Sequence, residues 1–216
     1  PIPQRQTDPR GPACVNVVIP AHEGGDRLEA CLESLMASTH AAMRVVVVDD
    51  ASTDGAVDRA AARFPDIVVL RNETNIGFGA TCNRGIQQGL DRDADYVFLL
   101  NQDTAVAPDM LARLVACGEA HPAAGCIAPK TLAMRPLPGG RPLVLYAGAW
   151  RQWLPLQQHV PGNGRADRAA IPGPFEVDYA WGHGMLLRSA ALRQVGLFDP
   201  DFFMYYEDID LCLRLR

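Results

Sequence analysis

Val45-Val46-Val47-Val48-Asp49-Asp50-Ala51-Ser52-Thr53-Asp54-Gly55 is the stretch whose reading decides the fold. Four consecutive β-branched residues offer no polar face, so the strand they form is buried on both sides. The run breaks abruptly into carboxylates, hydroxyls and a glycine, the composition of a turn. Strands of this kind belong to mainly parallel sheets with helices on both faces, and such sheets bind ligands at the carboxyl ends of their strands. The predicted class is α/β.

The same alternation extends outward. Val15-Asn16-Val17-Val18-Ile19 is a strand ending at Pro20, and Asp26 to Ser38 spaces Leu28, Cys31, Leu32, Leu35 and Met36 as one helix face. Asp54 to Arg63 reads as a helix with Asp54 as a candidate N-cap. Ile67 to Leu70 is a strand, Phe78 to Leu90 a helix despite its glycines, and Tyr96 to Leu100 a strand. Pro108 to Ala120 is a helix with proline near its first turn. Cys126 to Ala128 is a short strand. The βαβα order implies a mostly parallel sheet. Prolines and glycines then crowd Thr131 to Pro174, an excursion too long for an ordinary loop and expected to be functional or disordered. Phe175 to Tyr179 and Met185 to Arg188 read as strands, and Ser189 to Val195 as a short helix. Glu207 to Arg216 reads as a helix that is cut off, so the natural chain is expected to continue.

The 216 residues suit one domain with a sizeable core. We divide the chain into a loose lead-in, 1–13, and a single domain, 14–216, with a donor-binding half over about 14–130 and an acceptor-side half over about 131–216. A net charge of -5 excludes general affinity for nucleic acid. The six cysteines form no CxxC pair and no metal-knuckle spacing, which reads as reduced, mostly buried thiols in a reducing compartment. No apolar run is long enough to span a membrane, and no signal-peptide pattern opens the chain.

Polar groups stand at each strand end: Pro20-Ala21-His22-Glu23, then Asp49-Asp50, then Asn72 and Asn75, then Asn101-Gln102-Asp103. No GxGxxG follows the first strand and no GxxxxGK[ST] occurs, which argues against a dinucleotide-binding domain and a P-loop. Gly77 and Gly79 follow the third strand instead. They serve either a helix-entry turn or a close backbone approach to a nucleotide. Near the end, Phe202-Phe203-Met204-Tyr205-Tyr206-Glu207-Asp208-Ile209-Asp210-Leu211 gathers three carboxylates behind four aromatics. One acidic spot suits a divalent cation and the other a general base, which together indicate metal-assisted group transfer. The aromatics either cover the site or pack the core.

Taken in order, Val17-Val18-Ile19-Pro20, Val47 to Gly55, Asn75-Ile76-Gly77-Phe78-Gly79, Leu99 to Thr104, Gly182 to Arg188 and Glu207 to Arg214 resemble a family 2 glycosyltransferase. The flavour is that of its rhamnosyltransferase-like branch, and the likeness covers roughly residues 14–216. The resemblance implies a GT-A fold, a Rossmann-like nucleotide-binding sheet with a smaller mixed acceptor-side region. It implies inverting transfer from a nucleotide-diphosphate sugar, dTDP-rhamnose or a UDP-sugar, to a glycan or lipid-linked acceptor in cell-surface polysaccharide synthesis. The competing reading is a non-catalytic nucleotide-sugar-binding module, supported by Asn101 standing where the family's DxD has its first aspartate.

Carried over residue by residue, Asp208 is the expected base with Glu207 beside it, and Asp103 is the ligand for Mg²⁺ or Mn²⁺. Pro20, Ala21, Glu23, Asp49, Asp50, Asn75, Gly77, Gly79, Asn101 and Gln102 are the expected nucleotide contacts, with Asp50 accepting from a pyrimidine N3–H. Trp181, His183 and Gly184 are expected to face the acceptor. His183 has two readings, a third metal ligand or a loop hydrogen-bonding group. The expected compartment is the cytoplasm, with room for peripheral association at the inner face of the cell membrane.

Overall fold

The structure is a computed structural model and describes residues 11–135, 140–151, 158–159, 164–167 and 173–216. Most of the predicted lead-in, 1–10, and part of the predicted excursion lie outside the described residues.

The first half alternates as β1 (Val15–Ala21), α1 (Asp26–Met36), β2 (Met43–Asp49), α2 (Ala56–Arg63), β3 (Val68–Arg71), α3 (Phe78–Asp91), β4 (Tyr96–Leu100) and α4 (Met110–Ala120). Short strands follow: β5 (Cys126–Ile127), β6 (Thr131–Leu132), β7 (Val144–Tyr146), β8 (Trp150–Arg151) and β9 (Gln158–His159). The chain closes with β10 (Gly184–Arg188), α5 (Ser189–Val195) and α6 (Glu207–Arg214). A six-stranded sheet runs β3-β2-β1-β4-β10-β5, while β6 pairs with β7 and β8 with β9. The contacts among β1, β2, β3 and β4 are parallel, whereas β10 is antiparallel to both β4 and β5. This is the expected GT-A architecture.

The period of two in each strand divides the core. Val15, Val17, Ile19, Val45 and Val47 face the layer of α1, α2 and α4 through Leu28, Leu32, Ala56 and Leu111. Val18, Val46 and Val48 face the opposite layer of α3 and α6 through Cys82, Ile86 and Leu211. Burial on both faces explains why β2 has no polar stripe.

The glycines of α3 have a packing cause. A Cβ on Gly85 would lie 2.4 Å from Val18 Cγ1, and one on Gly89 would lie 2.7 Å from Asn16 Nδ2. The helix therefore lies directly on β1, and the buried Asn16 amide donates to the Gly85 carbonyl at 3.1 Å.

Three expectations are corrected. Phe175 to Tyr179 is not a strand: it forms only the bridge of Tyr179 to Ala149, because β10 already fills the slot between β4 and β5. Asp54 is not the residue that starts α2. Gly55 takes that place with φ +70°, and Asp54 caps from one residue earlier, its Oδ1 accepting the Ala56 N–H at 2.9 Å. The cysteines are all free, but only Cys31, Cys82 and Cys212 are buried, while Cys14, Cys117 and Cys126 are half-buried.

Helix propensity alone would have Gly85→Ala stabilise α3 by about 1 kcal/mol. The contact with Val18 reverses the sign, and we expect a loss of about 1–3 kcal/mol from overpacking, read as a lower urea midpoint at unchanged m-value.

Candidate active site

Parallel pairing aligns the carboxyl ends of β1, β2, β3 and β4 along one edge. Asp49 and Asp50 leave β2, and Asn101 leaves β4, with β1 between them. Their backbones are thus about two strand spacings apart, on the order of 10 Å. This edge carries most of the predicted nucleotide contacts.

Asp50 is the organising group. Its buried carboxylate accepts from Asn72 Nδ2 at 2.7 Å, from the Ile76 N–H at 2.9 Å and from the Gly77 N–H at 3.2 Å. A carboxylate has about four acceptor positions, so one remains. Asn75 Oδ1 also accepts the Gly77 N–H, at 3.1 Å. Asp49, equally buried, accepts from the Ser52 N–H at 2.9 Å and pairs with Arg71 Nη1 at 2.6 Å. Asp49 thus stabilises the turn internally rather than facing the edge as an open ligand.

The end of β1 is fastened on both sides. His22 Nδ1–H donates to the Asp50 carbonyl at 2.8 Å. Gln102 is held by the His22 backbone, its amide donating to the carbonyl at 2.8 Å and its Oε1 accepting the N–H at 3.3 Å. Glu23, with φ +48°, accepts from the Thr53 N–H at 2.8 Å. Ala21 is buried and Pro20 half-buried beneath them.

Asn101 and Asp103 differ sharply. Asn101 Oδ1 is buried without a hydrogen-bond partner, an acceptor left over by the fold. Asp103 is exposed, and its negative charge acts on His183. Among the described residues no set of three His, Cys, Asp or Glu side chains converges into a metal cage. One exposed carboxylate beside a histidine fits a hard cation carried in on donor phosphates, which supply most of its oxygen ligands.

The residues expected to face the acceptor reach the same edge at the start of β10. Gly184 pairs with Leu100 in register, and the Asn101 N–H donates to the His183 carbonyl at 3.1 Å. His183 Nε2 shares a hydrogen bond with Thr131 Oγ1 at 2.6 Å, and Trp181 packs on Tyr146 with ring centroids 4.8 Å apart. Burial lowers the His183 pKa, against the opposing pull of Asp103. Trp181 is half-buried in this aromatic group.

The carboxylates of α6 complete the site. Asp208 Oδ2 accepts the Gly182 N–H at 2.8 Å, which fixes the start of α6 to the turn that carries His183 and leads into β10. A Cβ on Gly79 would lie 3.6 Å from Glu207, so α6 lies against the start of α3. Glu207 is buried with Oε2 unpartnered. Burial pushes both carboxyls above the usual range, with the Asp208 charge adding to the effect on Glu207. Asp210 points elsewhere and pairs with Arg214 at 2.7 Å.

Sequence reading missed one structural partner. The Phe203 carbonyl accepts the Phe78 N–H at 3.0 Å, and a Cβ on Gly77 would meet that carbonyl oxygen at 2.3 Å. Gly77, at φ +87°, is therefore required by the aromatic segment as well as by its own turn. A cavity of about 900 Å³ beside β5 is lined by Cys126, Phe175, Tyr179 and Cys212, and by none of the predicted site residues.

Comparison with known proteins shows the family. Residues 16–196 match the model of "Glycosyl transferase family 2". The chain belongs to that family and is a glycosyltransferase domain. The N-acetylglucosaminyl-diphospho-decaprenol L-rhamnosyltransferase of Mycobacterium tuberculosis is 31% identical over 213 residues, which cover 92% of this chain and 69% of the relative. The low-salt glycan biosynthesis hexosyltransferase Agl10 of Haloferax volcanii is 25% identical over 87% of the chain. Among solved structures, S. aureus TarS 1-349 in complex with UDP superposes with a TM-score of 0.64 at 19% identity, over 92% of this chain and 54% of that one. GalNAc-T7 with UDP, GalNAc and Mn2+ gives 0.73 at 18% identity, over 95% and 41%. The chain thus spans about half the length of these solved structures, and at such identities they establish the fold alone.

The raised Glu207 pKa has a consequence for stability. Between the ordinary carboxylate pKa and the raised one, the native state binds more protons than the unfolded state, so stability falls as pH rises through that window. We expect Glu207→Gln to be more stable than the parent at pH 7, with the difference vanishing below the usual carboxylate range. Urea midpoints at pH 3.5 and pH 7 check this.

Proposed function

We propose that this domain is an inverting sugar transferase that moves L-rhamnose, from a dTDP donor, onto a lipid-linked saccharide in cell-surface polysaccharide synthesis. The observation that supports the reading is the Asp208 to Gly182 contact, which holds a carboxylate of raised pKa at the turn leading into β10, beside the strand end of Asn101. The mycobacterial relative's name supports both the sugar and the lipid-diphosphate acceptor. A UDP-sugar is the alternative donor on the same scaffold.

The nucleotide lies along Pro20 to Glu23, Asp50, the Asn75–Gly79 loop and Asn101. The remaining acceptor position of Asp50 suits a pyrimidine N3–H, and the open Asn101 Oδ1 suits a ribose hydroxyl. Asp103, with His183 near it, would hold Mg²⁺ or Mn²⁺, which supplies neutralising charge to the diphosphate when bound. Mn2+ accompanies UDP and GalNAc in the GalNAc-T7 structure. Asp208 takes the proton of the acceptor hydroxyl as its oxygen bonds to the anomeric carbon. The anomeric carbon–oxygen bond to the diphosphate breaks on the opposite face, and the nucleoside diphosphate leaves. A base is most effective with a pKa near the working pH, which the burial of Asp208 favours. The hydrogen bonds from the Gly182 and Ile209 N–H groups oppose that rise and hold the carboxylate in place.

No described helix is long and apolar enough to cross a membrane. We place the domain in the cytoplasm, at the inner face of the membrane, because the proposed acceptor is anchored there.

Three outcomes test the reading. Asp208→Asn should lower turnover on the order of 10²–10⁴-fold while leaving donor affinity nearly unchanged, measured by nucleoside diphosphate release and by calorimetry. Retained turnover would place the base on another residue, whereas no turnover in the parent despite donor binding would assign the chain to the non-catalytic binding class. Asp50→Ala should weaken dTDP by about 1.5–3 kcal/mol, the range for a hydrogen bond to a charged group, and a tighter purine nucleotide would overturn the base assignment. Transfer should stop in excess chelator and return with Mn²⁺.

A further inference from the structure

The aromatic segment before α6 stays largely outside the core. Phe203 is 57% exposed, Met204 52%, Tyr205 73% and Tyr206 54%. Tyr205 and Tyr206 stand consecutively in the left-handed region, at φ +72° and +71°. A β-carbon is strained there, and glycine or asparagine would relieve the strain. Two tyrosines do not, so folding gives no reason for the rings. Yet the segment is fixed in place. Phe203 is tied through its carbonyl to Phe78, and the Tyr206 carbonyl accepts the Asp210 N–H at 3.0 Å.

The surroundings narrow what covers these rings. Residues 199–208 contain Asp199, Asp201, Glu207 and Asp208 and no basic side chain. That charge repels anionic lipid headgroups and nucleic acid. Carboxylates beside aromatic rings suit a neutral polyol: the rings stack on the C–H face of a pyranose while carboxylates accept from its hydroxyls. The rings immediately precede Glu207 and Asp208 in the chain, so an occupant of this surface lies at the start of the helix that carries the proposed base.

We propose that Tyr205 and Tyr206, with Phe203, form a stacking platform for a pyranose ring of the acceptor, and so select saccharide-bearing acceptors. This rests on the transferase reading above and adds a recognition element to it. The platform is built before the acceptor arrives, because its backbone is held by Phe78 and α6.

The test reads binding, not turnover. Saturation-transfer NMR is run with free N-acetylglucosamine, glucose, mannose and rhamnose, with dTDP or UDP present to fill the donor site. At least one sugar should receive saturation from the aromatic protons. The paired change Tyr205→Phe with Tyr206→Phe should keep the signal. Tyr205→Leu with Tyr206→Leu should weaken sugar binding about tenfold, the order expected when the aromatic contribution is lost. Tyr205→Gly with Tyr206→Gly should also lose the sugar while keeping the parent's melting temperature or raising it, which separates recognition from folding. In parallel, the parent should not sediment with phosphatidylcholine vesicles. The proposal is overturned if no sugar shows transfer, if the leucine pair binds as well as the parent, or if the parent sediments with vesicles and the leucine pair does too. The last result would make the patch a membrane contact. Nucleotide binding by calorimetry separates the two readings: its loss in the parent sinks the transferase reading, whereas its persistence with an insensitive sugar signal sinks this one alone.

Discussion

A buried carboxylate must be satisfied, and much of this site follows from how Asp50 is. Taking a charge out of water is costly unless hydrogen bonds replace the lost hydration. Asp50 obtains them from Asn72 and from the N–H groups of Ile76 and Gly77. Those bonds fix the loop after β3 in one conformation. That loop fixes the start of α3, whose Phe78 N–H holds the Phe203 carbonyl. Phe203 in turn leads into the first turn of α6, where Glu207 and Asp208 lie. The end of β2 and the start of α6 are thus joined by one connected path through the α3 entry and are not two halves that meet by chance.

The path tolerates strain and poor solvation at its far end. Consecutive left-handed residues at Tyr205 and Tyr206, a buried Glu207 oxygen without a partner, and two neighbouring carboxyls with raised pKa all oppose stability. Features of this kind persist where surrounding structure over-determines them, and they gather at functional sites. Here the surrounding structure is identifiable: α3 against β1 through Gly85 and Gly89, and α6 against α3 through Gly79. Asp210, by contrast, pairs with Arg214, which also bonds the Val195 and Leu197 carbonyls, so the third carboxylate of the motif anchors the helix.

Much of the fold was legible in the residues. The unbroken valines of β2 required burial on both faces, and the 3–4 spacing of α1 required one. The polar strand ends pointed to one edge of the sheet, and parallel pairing does bring them together there, although Asp49 and Gln102 serve the turns themselves. The antiparallel β10 between β4 and β5 was not legible. Strand pattern carries no partner information, and Phe175 to Tyr179 has as good a strand composition as Met185 to Arg188. Only the vacant edge of β4 chooses between them.

The sequence by itself determined the α/β class and the family, because these depend on local periodicity and on motif order. Only the tertiary structure decided what each polar residue does. Asp49 and Gln102 satisfy the backbone and neighbouring side chains, Asn101 keeps a buried acceptor free, and His183 answers to Thr131. Nor do the letters of Phe203 to Tyr206 reveal that the rings stay outside the core. The physical reason is common to all of these: hydrogen-bond partners and burial are set by residues far away in sequence, and they exist only once the chain has closed on itself.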